Sequence, residues 1–202
     1  SFPPLDQKNA QDSHSSFAFY GLITTVLYAF LLQYLQKNKT EIKSTKYYYL
    51  ILANVISSFG MLVTFLYADY FWLSIAFSTT ALLGTFVFAY FFYKDSLSIS
   101  EHSKIWFLAA LFFALISSLG VFLLAYMNFT HEISQTIYLA ATYYYLHFQY
   151  NGFFMFCCFG FLLNSLRKNG VDFSATANKM MFWPNFIGCL IGYGLSVLYL
   201  DL

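Results

Sequence analysis

The chain has 202 residues, of which 59% are hydrophobic and only 9% are charged, and its formal net charge is +1. An ordinary soluble domain carries about 25% charged residues, so this chain could not cover a water-facing surface. The low net charge offers no nucleic-acid surface, and no dinucleotide-binding, phosphate-loop, nucleophile-elbow or zinc-protease motif is present. The composition therefore predicts a membrane protein and argues against a soluble enzyme.

Six apolar runs follow one another along the chain, and crossing a hydrocarbon core of about 30 Å takes about 20 residues each. Backbone groups in lipid must be satisfied internally, and no alternating barrel pattern is visible, so these runs predict helices. The fold class is thus an all-α bundle of about six transmembrane helices. The fifth run is overlong, which predicts a tilted or extended helix. The predicted spans are residues 17–36, 47–68, 71–93, 105–127, 136–166 and 180–200.

The basic residues indicate which way the predicted bundle faces. Nine of the ten lysines and arginines fall in alternate connections between the runs, and only Lys8 falls on the opposite side. Short loops rich in Lys and Arg stay in the cytoplasm, so both termini are predicted to lie outside. The basic residues of the predicted cytoplasmic connections are Lys37, Lys39, Lys43, Lys46, Lys94, Lys104, Arg167, Lys168 and Lys179.

The start of the chain is polar and has neither an initiating Met nor the regions of a signal peptide. We therefore expect residues 1–16 to form a polar extracytoplasmic segment and residues 17–202 to form one six-helix domain. A first helix that begins outside needs an earlier crossing or a signal segment. We accordingly expect this sequence to be part of a longer protein.

The candidate functional residue inside the membrane is His147. The six runs contain no Asp, Glu, Lys or Arg away from their ends, which disfavours a proton pump or an ion-coupled transporter. His147 lies well inside the fifth run, where an ionisable side chain is a functional candidate by default. At helical spacing it shares a face with Tyr143, Tyr144, Tyr150 and Asn151. We expect this polar stripe to face the bundle interior.

Two interpretations of His147 remain open from the residues alone. It can be a neutral core histidine that hydrogen-bonds a Tyr or Asn and fixes helix packing. It can also be a ligand to a metal or heme iron, because neutral imidazole is a common ligand and its second nitrogen is oriented by such a partner.

The remaining histidines and the cysteines carry weaker signals. His102 and His131 stand in polar loops beside glutamates, where solvated side chains are expected. The three cysteines, at positions 157, 158 and 189, lie inside predicted helices, and their spacing is not that of a zinc or iron–sulfur site. His14 stands just before the first apolar run, followed by Ser15 and Ser16.

The contexts of His14 and His147 together resemble subunit I of the heme-copper oxidase and nitric oxide reductase superfamily, a twelve-helix membrane protein. The resemblance implies that the six helices here correspond to family helices two to seven, with both histidines in the matching orientation. It implies that His14 is an axial ligand of a low-spin heme and that His147 is a ligand of the active-site copper or non-heme iron. The expected pocket around His147 consists of Tyr143, Tyr144, Gln149, Tyr150 and Asn151.

The sequence also departs from the family pattern. No histidine follows His147, so the two adjacent histidines of the family's seventh helix are missing. Asn151 replaces the reductase Glu, and Tyr150 stands three rather than four residues after His147. A complete centre with copper or non-heme iron is therefore not expected, and a second axial heme ligand has to come from outside this chain.

Three functions follow as hypotheses. The first is a heme-binding, respiratory-type redox protein of a bacterial inner membrane, which as an enzyme would be an oxidoreductase. The second is a non-catalytic membrane subunit that packs in a larger complex. The third is a transporter or channel for a small neutral solute, lined by Tyr143, His147, Gln149 and Asn151. Its expected partners are the lipid bilayer and other membrane subunits or the rest of a longer chain, with no nucleic acid.

Overall fold

The computed structural model describes residues 7–39, 41–67, 72–130, 134–171 and 173–198, and within these ranges the chain forms helices and short connections without a strand. Six helices of the described residues are long and apolar enough to cross a membrane. The all-helical prediction is therefore confirmed. The six spans are Asn9–Asn38, Thr45–Leu66, Trp72–Ser96, Lys104–Met127, Gln135–Lys168 and Ala175–Val197.

We number the continuous helices in chain order. Helix α1 covers residues 7–38, α2 covers Thr45–Tyr67, α3 covers Trp72–Ser96, and α4 covers Lys104–Thr130. Helix α5 covers Gln135–Lys168 and α6 covers Ala175–Val197.

Two helices begin five or more residues before their apolar runs. The polar residues Gln7–Ser16 are helical and continue directly into the first span. Helix α6 begins at Ala175 rather than at residue 180, because the Ser174 hydroxyl accepts a hydrogen bond from the Ala177 amide at 3.1 Å and caps the first turn. Three boundaries of the predicted runs, at residues 68, 71 and 200, lie outside the described residues.

The chain divides into two compact units. Unit 1 is Ser1–Ser98 and contains α1, α2 and α3; unit 2 is Ile99–Leu202 and contains α4, α5 and α6.

Unit 1 is held together by aromatic packing and buried hydrogen bonds. The Tyr28 ring of α1 stacks on Phe88 of α3 with centroids 3.9 Å apart, and its hydroxyl donates to Thr85 Oγ1 at 2.8 Å. Lipid tails are as apolar as the side chains, so helices in a bilayer associate through such packing and hydrogen bonds. The Tyr28 contacts therefore fix α1 against α3.

In the described part of each unit, one helix contains a π-helical segment, in which hydrogen bonds run between residues five apart. In α1 this segment is Phe17–Thr24, and in α5 it is Phe148–Phe154. The Tyr20 carbonyl of the first segment accepts hydrogen bonds from Asn54 Nδ2 of α2 at 2.6 Å and from Thr25 Oγ1 at 3.3 Å. A side chain of the neighbouring helix thus satisfies the irregular backbone.

Helices α4 and α5 of unit 2 approach each other closely at Gly120. A Cβ atom at this position would lie 2.7 Å from the Ala141 carbonyl oxygen and 3.0 Å from the Tyr145 amide nitrogen. Only a residue without a side chain fits there, since main-chain atoms cannot move aside cheaply. Gly120 therefore sets the distance between the two helices on the N-terminal side of His147.

Candidate functional site

His147 is the last residue before the π-helical segment of α5, and both of its ring nitrogens have hydrogen-bond partners. Its Nε2 lies 2.8 Å from the main-chain carbonyl oxygen of Cys189 in α6, and its Nδ1 lies 3.2 Å from the Asn151 side-chain nitrogen. The carbonyl can only accept and the amide nitrogen can only donate. With these partners, Nε2 donates to the carbonyl and Nδ1 accepts from the amide nitrogen.

Tyr193 of α6 makes the reciprocal contact to α5. Its hydroxyl donates to the Ala140 carbonyl oxygen at 3.1 Å, and its ring meets Tyr144 edge to face at 5.0 Å. Together with the bond from His147 to the Cys189 carbonyl, this joins the two helices in both directions. The pair forms a helix-joining site that needs no charge.

Gly192 is the residue of α6 that faces the His147 imidazole, and it has no side chain. A Cβ atom at this position would lie 3.3 Å from His147 Cε1 and 3.7 Å from Nε2. The 3.3 Å separation from Cε1 is tighter than ordinary van der Waals contact. Gly192 therefore allows the ring to lie close enough to α6 for its bond to the Cys189 carbonyl.

The predicted polar stripe divides between the interior and the exterior of unit 2. Asn151 contacts the imidazole directly and Tyr144 reaches it through Tyr193, whereas Tyr143 is half-buried. Tyr150 is 44% exposed and Asn151 is also exposed, so the expectation that the whole stripe faces inward is wrong. The reason is the π-helical segment, whose wider turn changes the register assumed by helical spacing.

Gln149 turns inward instead and lies 4% exposed in the core of unit 2. The Ser117 hydroxyl of α4 stands 3.1 Å from Gln149 Oε1 and 2.8 Å from the Ala114 carbonyl oxygen, so its one proton is shared between them. Ser117 was not among the predicted site residues. The one indication of it in the sequence is the adjacent hydroxyl residues Ser117 and Ser118 in the middle of the fourth apolar run. Such a pair by itself indicates only close helix packing.

His14 has a very different environment in unit 1. The preceding residue, Ser13, is 2% exposed and donates to the Leu62 carbonyl oxygen of α2 at 2.5 Å. This contact fixes the rotation of α1 so that His14 points outward, and its imidazole makes no hydrogen bond within the described ranges. His102 is also exposed, as predicted, while His131 lies outside the described residues.

A second polar cluster lies beside the N-terminus of α4 in unit 2. Asn178 accepts a hydrogen bond from the Trp106 indole at 2.9 Å and donates to the His102 carbonyl oxygen at 3.1 Å. Arg167 forms an ion pair with Glu101. These contacts join the start of α4 to α6 through Asn178 and to the end of α5 through Arg167. Their role is structural.

The two histidines differ in how well they fit a metal or heme iron. A metal ligand has to direct a nitrogen lone pair at the ion, and the Nδ1 lone pair of His147 already accepts from Asn151. In the part of the chain that the structure describes, no group of three or more His, Cys, Asp and Glu could hold a metal ion. The arrangement around His147 does not fit such an ion, whereas the exposed His14 imidazole makes no hydrogen bond within the described ranges.

The architecture and these sites define a multi-pass helical membrane protein. The chain matches no protein-family model, no curated protein and no solved structure. The resemblance to heme-copper oxidases accordingly rests on the contexts of His14 and His147 in the sequence.

Proposed function

We propose that the chain is a heme-carrying membrane protein of redox type, with His14 as one axial ligand and with no metal centre at His147. The observation that carries the proposal is the contrast between the two histidines. The His14 imidazole is exposed and makes no hydrogen bond within the described ranges, whereas both nitrogens of His147 are engaged. A heme ligand needs one ring nitrogen that is not engaged in a hydrogen bond, and both ring nitrogens of His147 are engaged.

In this proposal the chain's own residues hold and orient the axial ligand His14. The bond from Ser13 to the Leu62 carbonyl keeps His14 turned away from the core of unit 1. A bound heme would supply one-electron chemistry, and the second axial ligand would come from another membrane subunit or from the rest of a longer chain. A bacterial inner membrane is the location that belongs with this function.

A non-catalytic membrane subunit without a cofactor is the second candidate. It is favoured by the saturated hydrogen bonding of His147, which is the arrangement expected of a polar residue that joins helices in lipid. The third hypothesis, solute passage along Tyr143, His147, Gln149 and Asn151, remains a prediction.

The test is the heme content of the purified full chain and of two single variants. We expect heme to copurify with the wild-type protein, to be lost from His14→Ala, and to persist in His102→Ala. His102 is a matched control because its side chain is also exposed and makes no hydrogen bond within the described ranges. A wild-type protein without heme, after expression with ample heme supply, would contradict the proposal and leave the second candidate.

A further inference from the structure

Three helix ends of unit 1 meet around one carboxylate. Asp95 stands at the C-terminal end of α3, and its Oδ2 accepts from Lys46 Nζ at 2.7 Å and from the Tyr47 hydroxyl at 2.9 Å, both in the first turn of α2. Lys39, which follows α1, reaches the same side chain at 3.6 Å and the Asp95 main-chain carbonyl at 3.3 Å. The ends of α1, α2 and α3 are therefore fixed beside one another.

This end of unit 1 is strongly basic, and we call it the basic end. It contains five lysines and two acids, Glu41 and Asp95, which leaves a net charge of +3 (5 − 2). Lys39 and Lys46 are occupied by Asp95. The lysines that remain exposed and make no ion pair within the described part of the chain are Lys37, Lys43 and Lys94.

The basic end lies where apolar spans stop, which places it at the depth of lipid headgroups. The spans end or begin at Asn38, Thr45 and Ser96. Tyrosines prefer the boundary between hydrocarbon and water, and four of them near these ends are between 55% and 68% exposed. Long lysine stems can lie along the apolar surface with their ammonium groups in the headgroup layer. The exposed tyrosines are Tyr48, Tyr49, Tyr90 and Tyr93.

We infer that the basic end of unit 1 binds the headgroup of an anionic phospholipid. Lys37, Lys43 and Lys94 supply the ammonium donors for its phosphate, and the exposed tyrosines lie beside the glycerol region. The negative charge of Asp95 does not repel the lipid phosphate, because Lys39, Lys46 and the Tyr47 hydroxyl already bind its carboxylate. The charge complementarity is independent of the heme proposal, since His14 takes no part in it.

The test compares retention of phosphatidylglycerol and phosphatidylcholine by the purified full chain, counted by native mass spectrometry in a neutral detergent. We expect phosphatidylglycerol to be retained preferentially and the preference to fall as salt is raised. The triple variant Lys37→Gln/Lys43→Gln/Lys94→Gln should bind it at least tenfold less tightly, because each lysine near an anionic surface is worth about fivefold in affinity at low salt.

Two controls separate a local site from total charge. The charge-conserving variant Lys37→Arg/Lys43→Arg/Lys94→Arg should retain the preference. The double variant Lys168→Gln/Lys179→Gln removes two exposed lysines of unit 2 and should weaken binding less than Lys37→Gln/Lys43→Gln does. Equal retention of the two lipids by the wild-type protein, or equal losses in the two double variants, would overturn the inference.

Discussion

His147 and Tyr193 each donate a hydrogen bond to a main-chain carbonyl of the helix on which the other residue stands. The imidazole of α5 reaches the Cys189 carbonyl of α6 at 2.8 Å, and the phenol of α6 reaches the Ala140 carbonyl of α5 at 3.1 Å. Hydrogen bonds between membrane helices are worth about 0.6 to 2 kcal/mol each. The pair therefore contributes stability without placing a charge in the membrane.

Replacing His147 with Phe should destabilise unit 2 by about 1–2 kcal/mol, because the Cys189 carbonyl and the Asn151 amide then lose their partner. The measurement is the free energy of unfolding in mixed micelles. His102→Phe is the matched control and should leave the value unchanged within about 0.5 kcal/mol, as surface substitutions do. A His147→Phe protein as stable as the wild type would show that the imidazole is not a helix-joining residue.

Tyr193→Phe removes one hydroxyl and keeps the ring against Tyr144, so we expect a loss of about 0.5–1.5 kcal/mol. The double variant His147→Phe/Tyr193→Phe should cost less than the sum of the single variants. The reason is that both bonds join the same two helices, and residues that share an interface couple energetically. Strict additivity in this cycle would indicate that the two contacts stabilise unit 2 separately.

Two glycines of α6 should respond differently to substitution by alanine. A Cβ atom at Gly188 meets nothing within 4 Å, whereas at Gly192 it lies 3.3 Å from His147 Cε1. Gly188→Ala should stabilise the protein by about 0.5–1 kcal/mol through helix propensity. Gly192→Ala should show none of this gain, because the ring has to shift. Equal gains in thermal stability for the two variants would contradict the close approach of the imidazole to α6.

Ser117 and Gln149 should behave as a buried pair. Ser117→Ala leaves Gln149 Oε1 without this donor in the core of unit 2, and a buried acceptor left unpaired costs about 1–3 kcal/mol. The double variant Ser117→Ala/Gln149→Leu removes both polar groups and should recover much of the loss. Thermal unfolding of the four proteins checks this, and a double variant less stable than Ser117→Ala would indicate that Gln149 has a further essential contact.

The apolar runs predicted the six helices because a hydrocarbon core imposes both their length and their composition. The start of α1 could not be predicted in this way, since Gln7–Ser16 is polar and its helicity comes from continuation of the span. His147 and Asn151, placed on one face by their four-residue spacing, are hydrogen-bonded to each other. Gln149 was expected in the pocket around His147, whereas its hydrogen-bond partner Ser117 on α4 was not among the expected residues.

The partner of His147 across the helix interface was also beyond the sequence. It is a main-chain carbonyl 42 residues away, and every residue has such a carbonyl, so no side-chain pattern marks Cys189 as the acceptor. Gly192 is informative only once α6 is known to lie under the ring. The acceptor of the His147 bond is therefore a backbone feature that residue identity does not reveal, and the role of Gly192 depends on how α5 and α6 pack.

The contrast between His14 and His147 is tested by a reduced-minus-oxidised optical spectrum of the detergent-purified protein and of two variants, His14→Ala and His147→Gln. We expect a heme signal in the wild-type protein that is lost in His14→Ala and kept, at the same wavelength, in His147→Gln. A signal that survives His14→Ala, or one that disappears in a folded His147→Gln protein, would contradict the assignment of the heme to His14 and of a helix-joining role to His147.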